Sequence, residues 1–246
     1  MRKTIKFPLS GKAVLMAVTA GIIILASCAK EVFTVPALII VSEEDMAESI
    51  ICSVASSSNG ITAQVIAAAH LLENKRNECG IPNSDHINYK SDANQLVQFL
   101  GSYKRDWLLS CDNDRHPAHF SYSFTGNNAY DAPNMSSDFE VSSEFNITGL
   151  EKKAEHYNYQ IDYTESGDKR SKVGKKNKFS SSATYKSTNI TVNKSNNYIE
   201  SGTIAVTLNN TNTDGSTGRF DATIVFSNNH TATLTFGNGT EYTFTC

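Results

Sequence analysis

The chain of 246 residues lacks most of the signatures by which enzymes and nucleic-acid-binding proteins are recognised. It contains no G-x-S-x-G nucleophile elbow, no H-E-x-x-H zinc motif and no Gly-rich phosphate loop. Lys and Arg total 22 against 25 Asp and Glu, so the basic excess typical of nucleic-acid binding is missing. These absences predict a protein that is not an enzyme, needs no cofactor and binds no nucleic acid.

The N-terminal region lacks an apolar run of the about 20 residues that a transmembrane helix needs. Residues 13–27 form a shorter uncharged run, which follows four basic residues and ends in Leu25-Ala26-Ser27-Cys28. This order of basic, apolar, small and Cys residues resembles the signal peptide and lipobox of bacterial lipoprotein precursors. The resemblance implies cleavage before Cys28 and lipidation of that residue. An uncleaved N-terminal anchor is the alternative.

Cleavage removes residues 1–27 and leaves 219 of the 246 residues. Because those residues carry four basic and no acidic side chains, the net charge changes from −3 to −7. Acyl chains on Cys28 anchor the protein to a membrane, since each buried methylene contributes about 0.8 kcal/mol. We expect an outer-membrane lipoprotein on the periplasmic or cell-surface side, with a tether over residues 28–42 and a single domain over 43–246.

Two short helices are predicted within residues 43–74. Ser42 precedes the acidic residues 43–45, which is typical of a helix start. One apolar stripe follows, formed by Met46, Ile50 and Val54. The polar residues 56–60 end this helix, and the Ala-rich run over 61–72 favours a second one.

From about residue 89 to residue 246, apolar and polar residues alternate as they do in strands with one buried face. Turn residues cluster at 125–127, 166–168, 212–215, 227–229 and 237–239. We therefore predict a mainly β fold with short N-terminal helices. Its antiparallel meander of seven or more strands forms either a sandwich or a strongly curved, half-closed barrel.

Three stretches, Phe120–Asn127, Tyr130–Ser137 and Ser201–Val206, carry a further likeness. With the helical N-terminal part they resemble a group of uncharacterised secreted bacterial lipoproteins that have an Asn/Ser/Thr-rich β C-terminal part. The resemblance implies the fold and the envelope location, and it implies no activity.

Four cysteines follow Cys28, and an exported chain meets oxidising conditions that permit disulfides. We predict a bond between Cys79 and Cys111, which would tie the segment after the helices to the early sheet. If a second bond forms, it joins Cys52 to Cys246. A free buried thiol is the alternative for Cys52, which lies within a helix pattern.

The densest group of metal-ligating side chains lies in residues 111–119, which include Asp112, Asp114, His116 and His119. Cys111 is expected to be oxidised, and no matching ligand pair follows downstream. The segment is therefore interpreted as a polar loop, and we predict no metal site.

Six basic residues occur within ten positions: Lys169, Arg170, Lys172, Lys175, Lys176 and Lys178. They are predicted to lie on a hairpin, where they would bind an anionic glycan or lipid headgroup. A solvated loop whose charges prevent pairing between sheet edges is the alternative.

Three functions are consistent with these features. The preferred one is a lipid-anchored envelope protein that binds or adheres through its loops and polar sheet face. The second is a carrier that holds an apolar ligand between helices and a curved sheet, and the third is an envelope hydrolase.

Overall fold

The computed structural model describes residues 41–73, 78–228 and 230–246. The predicted signal peptide and Cys28 lie outside these residues, as does the predicted tether except for its last two residues. Two α-helices, α1 (Glu43–Val54) and α2 (Ile61–Leu72), are joined by a 3-10 turn (Ser56–Ser58). Ten strands follow: β1 (Pro82–Lys90), β2 (Gln98–Cys111), β3 (Pro117–Asp131), β4 (Met135–Thr148), β5 (His156–Ser171), β6 (Lys178–Asn193), β7 (Ile199–Asn212), β8 (Thr217–Ser227), β9 (Thr231–Phe236) and β10 (Glu241–Thr245). Within the described ranges, no helix is long and apolar enough to cross a membrane.

Local sequence explains where the two helices begin. The Ser42 hydroxyl accepts a hydrogen bond from the backbone N–H of Asp45 (3.1 Å), and acidic residues occupy the first turn of α1. A Cβ on Gly60, just before α2, would lie 2.5 Å from the carbonyl oxygen of Ser53. Only Gly permits this close return of the chain. The prediction of two short N-terminal helices is confirmed.

All ten strands belong to one antiparallel sheet in which the spatial order is the sequence order, β1 to β10. The first and last strands are not paired with each other, so the sheet is not closed. The predicted curved antiparallel meander is confirmed, and the sandwich alternative is wrong because the strands of the described residues form one sheet. The sheet begins at Pro82, earlier than the predicted residue 89.

The sheet is strongly curved because it wraps around the helices. Ten strands at about 4.8 Å spacing would span about 43 Å if the sheet were flat, whereas a 12-residue helix is about 18 Å long. Yet Tyr103 of β2 accepts a hydrogen bond from Asn59 between the helices (3.0 Å), and Asn238, between β9 and β10, donates one to Glu43 of α1 (2.6 Å). Opposite ends of the sheet therefore reach the same small helical unit.

The core lies between the helices and the inner face of the sheet. A continuous set of aromatic rings crosses that face from β2 to β6, with neighbouring centroids 5.4–6.2 Å apart: Tyr103, Tyr122, Phe124, Phe145, Tyr159, Tyr163 and Tyr185. The helices contribute Met46, Ile50, Ile61 and Val65, all 0% exposed. Burial of this apolar area, at about 25 cal/mol per Å², is the main stabilising contribution.

Two glycines within strands explain why two predicted turns are wrong. Gly126 lies inside β3 and Gly167 inside β5, both at inner-face positions. A Cβ would lie 2.0 Å from the Ser102 carbonyl oxygen at Gly126 and 2.2 Å from that of Asp138 at Gly167. Each glycine has an aromatic register partner on the adjacent strand. These glycines therefore let neighbouring strands approach and the sheet bend, and they do not end the strands.

The predicted Cys79–Cys111 disulfide is present and joins the segment before β1 to the end of β2, with a Cα–Cα distance of 5.6 Å. Its sequence separation of 32 residues corresponds to about 3–4 kcal/mol in the chain-entropy description. The second predicted bond is wrong, because Cys52 and Cys246 are free thiols. Cys52 packs in the core from α1, and burial raises the pKa of both thiols to about 12.

Candidate functional site

The two helices occupy the space that the sheet encloses. Their inward side chains and the inner residues of the strands form one hydrophobic core. Polar side chains at this contact also form hydrogen bonds with each other. Gln64 of α2 donates a hydrogen bond to Asn59 (3.1 Å) and accepts one from the Tyr122 hydroxyl (3.5 Å). A ligand that binds without displacing the helices therefore contacts the outer surfaces of the domain.

Glu165 and Lys169 form an ion pair inside this core. Both side chains are 0% exposed, and Lys169 Nζ lies 2.9 Å from Glu165 Oε1. The same carboxylate accepts hydrogen bonds from Ser53 Oγ on α1 (2.8 Å) and from the Tyr185 hydroxyl (3.4 Å). The ammonium group also lies 5.1 Å from the centroid of the Phe139 ring, a cation–π contact. These contacts link α1 to the sheet.

The position of Lys169 corrects its assignment to an anion-binding hairpin. Residues 169–178 were predicted to form one exposed hairpin, but β5 continues to Ser171 and the connecting turn spans only 172–177. Along β5, Lys169 has the same parity as Tyr163 and therefore points to the inner face. The Lys169 side chain is therefore inaccessible to a ligand in solvent.

The turn itself holds three of the remaining basic residues. Lys172 forms an ion pair with Asp131 at the end of β3. Lys175 and Lys176 are exposed at the tip. One of the three cations is thus already neutralised, and two project into solvent.

A continuous shallow groove crosses the outer face of the sheet. It is lined by outer residues of 125–127 in β3, 136–142 in β4, 164–170 in β5, 178–184 in β6 and 209–211 in β7. The cavity at its basic end has a volume of about 610 Å³. Along β5 this outer groove runs for about 20 Å. Its lining consists mainly of Ser, Thr, Asn, Asp and Glu side chains.

The two inner-face glycines affect how the strands pack at this groove. Gly126 and Gly167 both lie beneath the outer groove. A Cβ at either position would meet the backbone of the neighbouring strand, so the strands approach each other closely there. Small outer residues such as Ser166 and Ser182, which are register partners, leave the depression open.

Charges at one end of the outer groove are arranged as two like-charged pairs. Arg170 and Lys178 are register partners across β5 and β6, and Asp138 and Asp168 are register partners across β4 and β5. All four residues are exposed. Asp168 Oδ1 accepts a hydrogen bond from Ser180 Oγ (2.6 Å). Among the described residues, neither Arg170 nor Lys178 takes part in an ion pair.

The turn between β2 and β3 brings Asp112, Asp114 and His116 together, with potential ligand atoms within 4.8 Å of one another. Turn formation accounts for this arrangement. Asp112 Oδ1 accepts hydrogen bonds from the backbone N–H groups of His116 (2.8 Å) and Asp114 (2.9 Å), an Asx-type turn. The His116 backbone bond is the main reason that the pKa of Asp112 is lowered. His119 lies beyond the turn, in β3.

Sequence reasoning missed both the buried pair and the acidic pair. The available signal was the strand period itself. Extending the inner parity of Tyr163 through β5 assigns Glu165 and Lys169 to the core, and the inner position of Phe139 places Asp138 outside. The predicted turn at residues 166–168 interrupted this extension.

No match is found when the chain is compared with known protein families, with curated protein sequences and with solved structures.

Proposed function

We propose that this protein is a lipid-anchored lipoprotein of the bacterial outer membrane that binds a glycan in its outer groove. The observation that carries the binding function is the groove itself, which runs for about 20 Å over hydroxyl, amide and carboxylate side chains. These groups donate and accept the hydrogen bonds that sugar hydroxyls exchange. The anchoring part of the proposal depends on Leu25-Ala26-Ser27-Cys28.

The outer groove is better suited to a sugar chain than the inner face is to an apolar ligand. A carrier would have to move α1 and α2, whose side chains Met46, Ile50, Ile61 and Val65 are fully buried against the sheet. Binding on the outer face requires no such displacement. The described domain therefore favours the binding function over the carrier.

The paired carboxylates Asp138 and Asp168 raise the hydrolase alternative, because two carboxylates flank the scissile bond in most glycosidases. Both residues are exposed on an open sheet face. A catalytic acid usually depends on a buried, apolar environment to keep its proton at neutral pH. The exposure of both carboxylates favours binding without hydrolysis.

Anchoring is tested by replacing Cys28 with Ala in the full chain. We expect loss of lipid labelling and accumulation of uncleaved precursor, because the modified residue is missing. The measurements are palmitate incorporation and partition into detergent. A Cys28→Ala protein that still incorporates palmitate would show that the anchor lies elsewhere.

Glycan binding is tested by filling the outer groove. Ser182→Tyr places a ring in the groove, whereas Thr223→Tyr places the same ring on exposed outer β8. We expect the full chain in neutral detergent to be retained on at least one of immobilised dextran, xylan and alginate. Ser182→Tyr should reduce that retention at least tenfold, and Thr223→Tyr should leave it unchanged. Equal retention of all three proteins, or no retention of the parent protein, would contradict the proposed function.

A further inference from the structure

The outer groove ends in two neighbouring like-charged pairs, which we name the cationic rung (Arg170 and Lys178) and the acidic rung (Asp138 and Asp168). Residues 168 and 170 point to the same face of β5, so the rungs are separated by about 6.8 Å along the strand. Like charges directly opposite each other in a sheet are destabilising. The two charges within each rung therefore repel each other across the strands.

Two other pairs of charged residues on the outer face join opposite charges. Lys186 of β6 lies opposite Asp162 of β5, and their charged atoms are 3.1 Å apart. On β8, Arg219 and Asp221 form an ion pair at 2.9 Å. Among the described residues, the four side chains of the two rungs form no such ion pair, and all four face the groove.

Each rung fits one part of an acidic sugar. A guanidinium group beside an ammonium group binds a carboxylate through charge-assisted hydrogen bonds. Carboxylates accept hydrogen bonds from neighbouring sugar hydroxyls, and Ser180 already orients Asp168 Oδ1 through its 2.6 Å bond. An anionic bilayer fits less well, because its headgroups would also face Asp138 and Asp168.

We propose that the basic end of the outer groove binds a polysaccharide that carries carboxylate groups, with the carboxylate on the cationic rung and adjacent hydroxyls on the acidic rung. This inference rests on the proposed glycan-binding function and specifies its ligand class. Lys175 and Lys176 at the turn attract the anionic polysaccharide at long range, and they do not belong to the cationic rung.

The first test measures binding of the full chain, in neutral detergent at 0.15 M salt, to alginate oligosaccharides and to neutral malto-oligosaccharides. Arg170→Gln with Lys178→Gln should weaken alginate binding at least about tenfold, because two charge-assisted contacts are lost. The matched control is Lys152→Gln with Lys153→Gln, which removes the same charge from the exposed turn between β4 and β5. Equal weakening by both pairs would show a nonspecific charge effect and overturn the proposal.

The second test asks whether neutralising the acidic rung strengthens or weakens the binding of alginate. Asp138→Asn with Asp168→Asn removes two negative charges, so simple electrostatics predicts tighter binding of alginate. Our proposal predicts at least about threefold weaker binding, because charged acceptors of sugar hydroxyls are replaced by weaker neutral ones. Tighter binding would show that the acidic rung only repels the ligand, and it would overturn the assignment.

Failure of this inference is distinguishable from failure of glycan binding. Retention of neutral glycans that Ser182→Tyr abolishes, without a preference for alginate, would refute the inference alone. Binding to phosphatidylglycerol vesicles that requires Arg170 and Lys178, with no binding to alginate, would refute it in favour of a lipid headgroup. Absence of groove-dependent binding to any glycan would refute both proposals.

Discussion

Charged residues on the two faces of β5 lie in opposite environments. On the inner face Glu165 and Lys169 are completely buried and bonded to each other, to α1 and to aromatic rings. On the outer face, Asp168 and Arg170 alternate with them and each lies opposite a residue of its own charge. Removal of an ion from water is costly, so the inner charges require partners, whereas hydration permits the outer ones to remain unpaired.

The largest difference between the faces should appear when one charge is removed from each. Lys169→Met leaves Glu165 buried without its cation, and we expect a loss of about 3–5 kcal/mol in the free energy of unfolding. Arg170→Met, the adjacent outer residue, should change it by no more than about 0.5 kcal/mol. Urea unfolding of both variants measures the difference. Similar losses would mean that burial does not separate the two sites.

Replacing a glycine of the inner face should also lower the free energy of unfolding strongly, because the backbones pack closely there. Gly126→Ala places a methyl group against the backbone of β2, with 2.0 Å to the Ser102 oxygen, and we expect a loss of about 3 kcal/mol. Gly237→Ala is the control, because its nearest atom is 3.8 Å away. Its stability should change by less than about 1 kcal/mol. A mild effect at Gly126 would contradict the close strand approach beneath the outer groove.

The inner face should also determine how stability changes at high pH. Burial raises the pKa of Cys52 from 9.0 to about 12, so between these values the folded protein keeps a proton that the unfolded chain releases. The stability due to Cys52 is complete below pH 9 and falls by about 1.4 kcal/mol per pH unit as the pH rises towards 12. Urea unfolding at pH 8 to 11 should give a shallower decline for Cys52→Ala. Identical slopes would contradict a buried thiol.

The smallest effect concerns the unpaired cations. Arg170→Gln with Lys178→Gln removes a cross-strand repulsion and should raise the free energy of unfolding by up to about 0.5 kcal/mol at low salt. The gain should disappear in 1 M salt, where screening acts within about 3 Å. Urea unfolding at both salt concentrations tests this. A loss of stability would mean that the cations have partners within the fold.

Local sequence patterns predicted much of the fold. The remaining features depend on how closely strands that are distant in sequence pack together. Ser42 with its acidic neighbours located α1, and alternation identified the inner residues of most strands. The sequence pattern wrongly predicts turns at Gly126 and Gly167, because sequence does not reveal how closely two backbones pass. The same error shortened β5 and placed Lys169 outside. The groove was not predictable, since it depends on curvature and on which charges become register partners.

The long-range contact between α1 and β5 joins two segments that are synthesised at different times. Ser53 and Glu165 are 112 residues apart, so a chain that is made N-terminus first presents the helices well before their partner strand exists. At about 5–20 residues per second, these 112 residues take about 6–22 s. During it at most the first four strands are present to cover the apolar stripe with Met46 and Ile50. The emerging chain therefore exposes part of an apolar helix until the middle strands have also emerged.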